Sequence, residues 1–480
     1  MNKLNFRPGM LYKVVSGCLW LAFMVGLAFI VLSFPDAPQW HLGHIFRING
    51  LTLIIWVTVA FFSAVVLTFA GKYLIGFQYY RRFIALSLGF TISVSILVFA
   101  DYIILFLISW FGMGFFMAGL IGIDRRWGEA REASKYCLRH FVTGGLFLSA
   151  GMLLLAFSAH QTTLSGLEQH FDDLSYPVLL TAALCIIVAA MIQSAMFPFH
   201  RWLLSAMTSP TPASALMHAG FVNAAGILLA LIAPLFIRSN TMTLLIIIGG
   251  VTAIVAQFAK LIQVNIKQKL ACSTTAQMAF MIMQCGLGFF NAAVVHLILH
   301  GCYKAYLFLS SGEEIRHFSP RKQQRGKLDY FEAVLVIILG ILGAFLFAWL
   351  TGKGLKPDGG IFLTLIVAIT VGQAMDNILK QQALSVAKKA VVGPIVFLVS
   401  IALYAFVYNG STQFLKDIPM IDHPESLSVL QIVFGVIFLL GFFVMKLGVY
   451  EGFSWLYVRL VNDSQPFRKT ILRYKKAQND

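Results

Sequence analysis

The chain has 480 residues, of which 59% are hydrophobic and 12% are charged. With a mean hydropathy of +0.81, it is too apolar for a water-soluble protein of that length. The formal net charge of +16 could indicate a nucleic-acid partner, but the basic residues concentrate in alternate connections between apolar runs, as they do in membrane proteins. The composition therefore predicts a multi-pass membrane protein and argues against a nucleic-acid partner.

Apolar runs of about 20 residues, enough to cross a hydrocarbon core of about 30 Å, recur along almost the whole chain. They predict an all-α polytopic membrane fold with about fourteen transmembrane helices, at 12–33, 49–71, 83–100, 102–123, 140–159, 177–208, 211–235, 241–264, 267–286, 288–312, 329–351, 360–380, 388–408 and 427–448. We expect the first run to remain as a helix, because it is long and lacks a small-residue cleavage site. The run 177–208 contains Pro198 and is predicted to be a broken helix.

The distribution of charge predicts the orientation of the chain. Basic residues fall at Lys72, Arg81 and Arg82, within 125–139, at Lys267 and Lys269, within 316–327 and within 468–476. Acidic residues fall in the intervening connections, at Glu168, Asp172, Asp173, Asp417 and Asp422. This positive-inside pattern predicts that both termini are cytoplasmic.

Three polar segments lie in the predicted cytoplasmic regions. The insertions 124–139 and 311–328 are candidate docking surfaces for a soluble partner, although ordinary solvated loops with orienting charges explain either of them equally well. The tail 451–480 mixes aromatic with basic residues and is too polar to span. That mixture favours an amphipathic cytoplasmic helix lying either on membrane lipid or on a partner.

The cysteines and other potential ligands give no sign of a metal site. The six cysteines are scattered, mostly within apolar runs, and show no CxxC spacing, so neither a disulfide framework nor a metal cluster is indicated. No cluster of His, Cys and Asp could hold zinc. We predict no metal and no cofactor in this chain.

The most informative stretch runs from Gln193 to Gly220, QSAMFPFHRWLLSAMTSPTPASALMHAG. It sets Pro198 beside His200, and Pro212 before His218, in what otherwise reads as membrane helix. A bilayer tolerates freed backbone groups only where protein or internal water satisfies them, so these breaks predict a polar interior, as in many transporters. His218 is a candidate for that interior, with an interhelical hydrogen bond as the alternative role.

A second stretch places three titratable residues on one helical face. His296, His300 and Lys304 are spaced i, i+4 and i+8, which stacks them over about three turns. Imidazole titrates near neutrality and a desolvated lysine can do so too, so this face could pass protons. The alternative is that the histidines hydrogen-bond neighbouring helices while the lysine snorkels at the boundary.

Three stretches, 193–230, QVNIKQKLACSTTAQMAFM at 263–281 and HLILHGCYKAYLFLSSG at 296–312, resemble the antiporter-like membrane subunits of respiratory complex I and of multisubunit cation/proton antiporters. The resemblance covers roughly residues 45–355. It implies two five-helix repeats of inverted topology, each with a broken helix. It divides this chain into N-terminal helices 1–82, a first repeat 83–235, a second repeat 241–408, a C-terminal helix 409–450 and the tail 451–480, with broken helices at 177–208 and around 329–366.

The resemblance also implies roles for individual residues. His218, His296, His300 and Lys304 match family positions on a buried proton axis. Lys353, in AWLTGKG, matches the lysine of the second broken helix, with an ordinary loop lysine between two glycines as the alternative.

Two positions depart from the family pattern. Complex I subunits carry a glutamate where SWFGMG has Phe111, and a lysine where IQSAMFP has Gln193. Phenylalanine cannot ionise, and glutamine does not change charge in the physiological range. The charge pair of the first repeat is therefore missing, and we do not expect a conventional pumping unit.

Such a chain resembles the membrane subunit of the DAB-type inorganic carbon accumulation systems. That resemblance implies a proton-conducting transport subunit of the bacterial inner membrane, without catalysis of its own. It also implies a soluble, zinc-binding, carbonic-anhydrase-like partner at the cytoplasmic face, which hydrates carbon dioxide to bicarbonate.

Two alternatives remain open from the sequence. One is a subunit of an NADH–quinone oxidoreductase, of a hydrogenase-like complex or of a multisubunit cation/proton antiporter. The other is a scaffold that conducts no ion. The conducted ion, H⁺ or Na⁺, is also open.

Overall fold

The computed structural model describes residues 8–311, 330–379, 386–419, 421–447 and 453–471. Within these ranges the chain is almost wholly helical. The helices are α1 (Pro8–Ser33), α2 (Gly50–Tyr73), α3 (Tyr80–Phe99), α4 (Ile103–Ile121), α5 (Gly128–Ala159), α6 (Leu164–His170), α7 (Tyr176–Gln193), α8 (Arg201–Ser205), α9 (Thr211–Ala219), α10 (Ala224–Leu231), α11 (Ala233–Arg238), α12 (Met242–Ile262), α13 (Ile266–Gly286), α14 (Phe290–Ser310), α15 (Tyr330–Thr351), α16 (Gly360–Leu379), α17 (Val386–Phe414), α18 (Val429–Leu447) and α19 (Ser454–Asp463). One short antiparallel hairpin, β1 (Trp40–Leu42) and β2 (Phe46–Ile48), joins α1 to α2.

The apolar runs of the sequence coincide with these helices. Nine stretches of the described residues are long and apolar enough to cross a membrane, from Met10–Ser33 to Phe290–Ser310. Backbone polar groups inside a bilayer must be satisfied within the segment, which a helix does and an irregular chain does not. The prediction of a multi-pass helical membrane protein is therefore confirmed, and the number fourteen stays a prediction.

The run 177–208 is interrupted. Helix α7 ends at Gln193, and α8 begins only at Arg201 after seven non-helical residues that include Pro198. Proline lacks the N–H that a continuing helix needs, and it disfavours helical backbone in the residue before it. The next run is interrupted too, by a 3-10 turn over Phe221–Asn223 that the sequence did not predict.

The segment around 329–366 differs from the broken helix expected there. Helices α15 and α16 lie side by side as a hairpin, and an added Cβ at Gly340 would come 3.1 Å from the carbonyl oxygen of Ala368. Gly352 and Gly354, with φ of 68° and 80°, turn the chain back between them, because only glycine adopts that backbone without strain. Two separate helices therefore replace the interrupted one.

The predicted docking surfaces are only partly described. Most of 124–139 is the start of α5, which begins at Gly128 and is 32 residues long, so this segment is helix rather than loop. Residues 312–328 of the second surface lie outside the described residues, as do 448–452 and 472–480 of the C-terminal region.

The connections gather at two ends of the bundle. At the first, which we call the hairpin end, the hairpin segment 34–49 meets later connections. The Arg47 guanidinium nitrogen Nη1 lies 3.0 Å from both carboxylate oxygens of Glu168. Lys416 Nζ lies 2.6 Å from Asp36 Oδ1. Segments far apart in sequence meet at this end, as alternate crossings of a membrane require.

The opposite end, which we call the tail end, holds the interruption after α7 and the C-terminal segment. His200 Nε2 lies 2.6 Å from the backbone oxygen of Asp463, and the backbone N–H of Phe467 donates to Ser205 Oγ at 2.8 Å. The Phe467 ring stacks on Tyr136 with 4.4 Å between centroids. The C-terminal segment is thus fastened across the interrupted helix.

Candidate proton path

The candidate site lies where α14 packs against α9, α10 and α13. Of the nine candidate spans, Thr211–Leu231 is the most enclosed, with 94% of its apolar window buried. Close contact is possible because Gly301 of α14 has no side chain: an added Cβ would lie 2.3 Å from the Phe62 ring and 3.0 Å from the Ala219 carbonyl oxygen. One face of α14 therefore meets protein rather than lipid.

The three titratable residues of α14 line up as the sequence predicts. The rings of His296 and His300 lie 5.8 Å apart between centroids, with 26° between their planes. His300 is 6% exposed and Lys304 is fully buried. The lysine does not snorkel to a boundary, because its ammonium donates to the carbonyl oxygen of Leu270 in α13 at 3.2 Å.

His218 joins this row from α9. Its side chain is fully buried, and its Nδ1 lies 2.9 Å from Thr274 Oγ1 of α13. Its ring stacks at 4.2 Å on Phe308, one turn beyond Lys304 on α14. Both roles considered for His218, an interior polar group and an interhelical hydrogen bond, are therefore compatible with its position.

Several nitrogens of the row have no protein partner. Among the described residues, both ring nitrogens of His300 and the Nε2 atoms of His218 and His296 are buried without a hydrogen bond. Buried polar groups usually have a protein or water partner. Imidazole can both accept and donate a proton, so these nitrogens can exchange protons with mobile water or with one another.

A cavity of about 540 Å³ adjoins the row. His296 lines it together with Gln284, Lys260 and Tyr404, so polar side chains from α12, α13, α14 and α17 face the same space. The volume is sufficient for several waters, since each needs roughly 30 Å³. Among the described residues, no group of three or more His, Cys, Asp or Glu is placed to hold a metal ion.

Lys353 is not part of the row. It lies in the connection after α15 at the hairpin end, where its ammonium is 2.8 Å and 3.0 Å from the carboxylate oxygens of Asp422. The same ammonium lies 4.6 Å from the centre of the Phe289 ring, directly before α14. Lys353 therefore stands at the N-terminal end of the helix that carries His296, His300 and Lys304.

At the two positions that depart from the family pattern, Gln193 forms a hydrogen bond and Phe111 packs against a neighbouring helix. Gln193 is 2% exposed, and its amide donates to the carbonyl oxygen of Phe221 at 3.0 Å. Ser194 does the same for Val222 at 2.7 Å. These bonds fasten the end of α7 to the 3-10 turn, whose Phe221 carbonyl also accepts the Ala224 N–H, while Phe111 packs its ring against Gly145 of α5.

Sequence reasoning missed four polar residues near the row. Lys260 stands near the end of its apolar run, the ordinary place of a boundary anchor, yet it lines the cavity with His296. Asn291 donates to the Tyr408 hydroxyl at 3.1 Å, and neither residue has a periodicity that would reveal it. From the sequence, Asp422 was notable only as one of the acidic residues in the connections between apolar runs.

Outside the spans, the hairpin end carries buried charge. Burial raises the pKa of Glu168, and the neighbouring Arg47 only partly offsets this effect. The pKa of Asp172 is lowered because Arg238 donates hydrogen bonds to its carboxylate, one of them over 2.7 Å. These contacts tie the connections together rather than form part of the row.

A multi-pass helical bundle with interrupted helices and a buried row of histidines and lysine defines a class of ion-translocating membrane subunit. Residues 100–344 match the family described as NADH:quinone oxidoreductase/Mrp antiporter, TM. The chain belongs to this family, and the resemblance predicted from the sequence is confirmed.

Two curated relatives share more of the chain. The probable inorganic carbon transporter subunit DabB of Bacillus anthracis is 32% identical over 353 residues, covering 72% of this chain and 68% of the relative. The protein of the same description from Bacillus subtilis (strain 168) is 31% identical over 369 residues, covering 76% and 70%.

A solved structure shows the same fold. The chain aligns over 94% of its length with the Mrp complex from Dietzia sp. DQ12-45-1b, with a TM-score of 0.55 and 22% identity. It spans about half, 53%, of that longer chain.

Proposed function

We propose that this chain is the proton-conducting membrane subunit of an inorganic carbon transporter. One observation carries the proposal: a buried lysine and three buried or partly buried histidines lie on the facing surfaces of α9 and α14 inside a bilayer-spanning bundle. Ionisable groups inside membranes are costly and mark ion pathways. The two relatives described as inorganic carbon transporter subunits supply the substrate class.

In this proposal each residue of the row has a role. His296, His300 and Lys304 carry protons along α14, and His218 bridges to the first repeat. Lys353 serves the row from the hairpin end. The repeats run over 83–235 and 241–408, between the helices of 1–82 and of 409–450.

The first repeat does not conduct in the usual way. Phe111 packs beside α5, and Gln193 forms a hydrogen bond at the neighbouring helix break. Neither a phenyl ring nor an amide ionises, so neither position changes charge. Conduction through the second repeat alone suits a subunit that works outside a long respiratory assembly.

Catalysis belongs to another polypeptide, since this chain is a transport subunit and not an enzyme. A soluble, zinc-binding, carbonic-anhydrase-like subunit docks at the tail end, which faces the cytoplasm with both termini and the tail 451–480. Inward proton flow through a bacterial inner membrane then drives hydration of carbon dioxide to bicarbonate on that partner.

A second candidate is a subunit of an NADH–quinone oxidoreductase-like complex or of a multisubunit cation/proton antiporter. The family match over 100–344 favours it, because that family's description covers both kinds of complex. The altered positions Phe111 and Gln193 weigh against it.

Purification from native membranes separates the candidates. We expect a soluble polypeptide that contains zinc to copurify, measured by mass spectrometry and metal analysis. Copurifying quinone- or flavin-dependent subunits would favour the second candidate. Bicarbonate accumulation in cells that carry Lys304→Ala tests conduction itself, because accumulation with full dependence on the ion gradient would leave only a scaffold role.

A further inference from the structure

The extended segment 421–425 at the hairpin end is hydrogen-bonded to the residues at the start of α14. The N–H of Asn291 donates to the Ile421 oxygen at 3.0 Å, and the N–H of His423 donates to the Gly288 oxygen at 2.9 Å. Phe289 and Asp422 form an antiparallel bridge between these bonds. Asp422 therefore has a fixed position relative to the helix that carries the proton row.

Gly288 makes this contact possible. Its φ is +83°, and an added Cβ would lie 1.8 Å from the carbonyl oxygen of His423. On its other side the segment bonds to the connection after α15, where the N–H of Gly359 donates to Glu425 at 2.9 Å. The segment is thus clamped between the connection that carries Lys353 and the start of α14.

Asp422 and Lys353 form an ion pair at the edge of the bundle. Their side chains are 25% and 15% exposed, so the pair meets solvent on one side and protein on the other. On the protein side the Lys353 ammonium lies 4.6 Å from the Phe289 ring and 5.8 Å from the Tyr408 ring.

Polar groups continue inward from the pair. The Tyr408 hydroxyl accepts from Asn291 at 3.1 Å, and the Tyr408 ring stacks on Tyr404 with 6.1 Å between centroids. Tyr404 lines the same cavity as His296. Tyr408, Asn291 and Tyr404 therefore lie between the ion pair and the cavity that His296 lines.

We infer that Asp422 is the proton acceptor at the hairpin-end mouth of the path and that it controls release of the Lys353 ammonium. This inference rests on the proposed conduction through Lys304. It assigns a role to a residue that neither the sequence reasoning nor the resemblance placed on the path.

The proton moves in three steps. A proton from solvent binds the Asp422 carboxylate, which neutralises it and breaks the ion pair. The freed Lys353 ammonium gives a proton inward, and the proton ends on the unpaired Nε2 of His296, which lines the cavity. The neutral amine then takes the proton from Asp422 and the ion pair re-forms, so that one proton has entered and the mouth has the same zero net charge as at the start.

The test is proton flux into proteoliposomes that contain the full purified chain, under an imposed membrane potential. Asp422→Asn should reduce flux by at least about tenfold, since a positioned acid–base group typically contributes roughly 100- to 10,000-fold to proton transfer, and Asp422→Glu should restore most of it. Asp417→Asn is the matched control, because Asp417 is an exposed acid of the same connection and should leave flux unchanged.

A double variant distinguishes proton transfer through the Lys353–Asp422 pair from a purely structural role of the pair. In Lys353→Met with Asp422→Asn, neither partner is left unpaired, so the melting temperature should return toward that of the wild type. A relay predicts that flux stays low in this variant, whereas recovery of flux would show that the pair only neutralises the mouth and would overturn the inference.

The outcomes also separate this inference from the function beneath it. Wild-type flux in Asp422→Asn together with lost flux in Lys304→Ala refutes the role of Asp422 and leaves conduction standing. Full flux in Lys304→Ala refutes conduction by the row, and the role of Asp422 falls with it.

Discussion

Replacing Lys304 by methionine should stabilise the protein while abolishing conduction. The ammonium is fully buried, and among the described residues no carboxylate forms an ion pair with it. Its one hydrogen bond goes to the Leu270 oxygen at 3.2 Å, an acceptor that Thr274 Oγ1 also uses at 3.0 Å. A buried lysine that stabilised the fold would have an ion pair or more hydrogen bonds to offset the loss of water around its ammonium.

The expected magnitude follows from two opposing contributions. A lysine at the centre of a membrane helix costs about 2.5–3.5 kcal/mol on insertion scales. A hydrogen bond from a charged group returns about 1.5–3 kcal/mol. The net cost is about 1 kcal/mol, and Lys304→Met removes it because methionine nearly conserves the buried volume. Lys304→Ala instead leaves a cavity and should cost about 2–4 kcal/mol.

Two measurements on the same preparation test this prediction. Thermal unfolding in detergent, followed by tryptophan fluorescence, should give an unchanged or higher melting temperature for Lys304→Met, while proton flux in proteoliposomes falls by about tenfold or more. A melting temperature well below that of the wild type would show that the ammonium is a structural group. Retained flux would show that protons do not pass through it.

Three further changes have distinct expected results. Gly301→Ala should destabilise the protein by about 1–3 kcal/mol in thermal unfolding, because the new methyl group would clash with Phe62. Gln193→Leu should cost about 0.5–1.5 kcal/mol by removing one of the two hydrogen bonds to the Phe221 carbonyl, which the Ala224 N–H also donates to, yet proton flux per folded molecule should not change. The pKa of Glu168 is raised by burial, so the contribution of this residue to stability is present below the unfolded pKa of about 4.3 and is lost as pH rises through the folded value.

Each of these predictions has its own control. Gly17→Ala meets no atom within 4 Å and should leave the melting temperature unchanged, so a comparable loss there would contradict the packing argument for Gly301. Lost flux in folded Gln193→Leu would give that position a part in conduction. The melting temperature of the wild type should fall between pH 4 and pH 7 partly because of Glu168, and this part of the fall should be missing in Glu168→Gln. The same dependence of melting temperature on pH in both proteins would show that this carboxyl does not contribute.

The helices could be predicted from the sequence because membrane length and apolar content are local properties. The interruption at Pro198 was predicted for the same reason, since proline breaks a helix by its own chemistry. The interruption at Phe221–Asn223 was not, because it is held by Gln193, which lies 28 residues away and donates to its carbonyl. No local pattern reveals a break that a distant side chain satisfies.

In the candidate site, too, the local arrangement could be predicted from the sequence and the contacts between distant segments could not. The spacing of His296, His300 and Lys304 on one helix gave their common face directly, and the structure places them so. Lys353 and Asp422 are 69 residues apart, and their pairing depends on how an extended segment docks on the start of α14. The short hairpin at 40–48 was missed because three-residue strands carry no usable period.

Proton flux through the purified chain alone tests the central claim most directly. Proteoliposomes with an internal pH indicator, a potassium gradient and valinomycin should acidify in the wild type, whether or not a soluble partner is present. They should not acidify in Lys304→Met above the rate of protein-free liposomes. Equal rates in wild type, Lys304→Met and empty liposomes would contradict the account, because the buried row would then carry no proton.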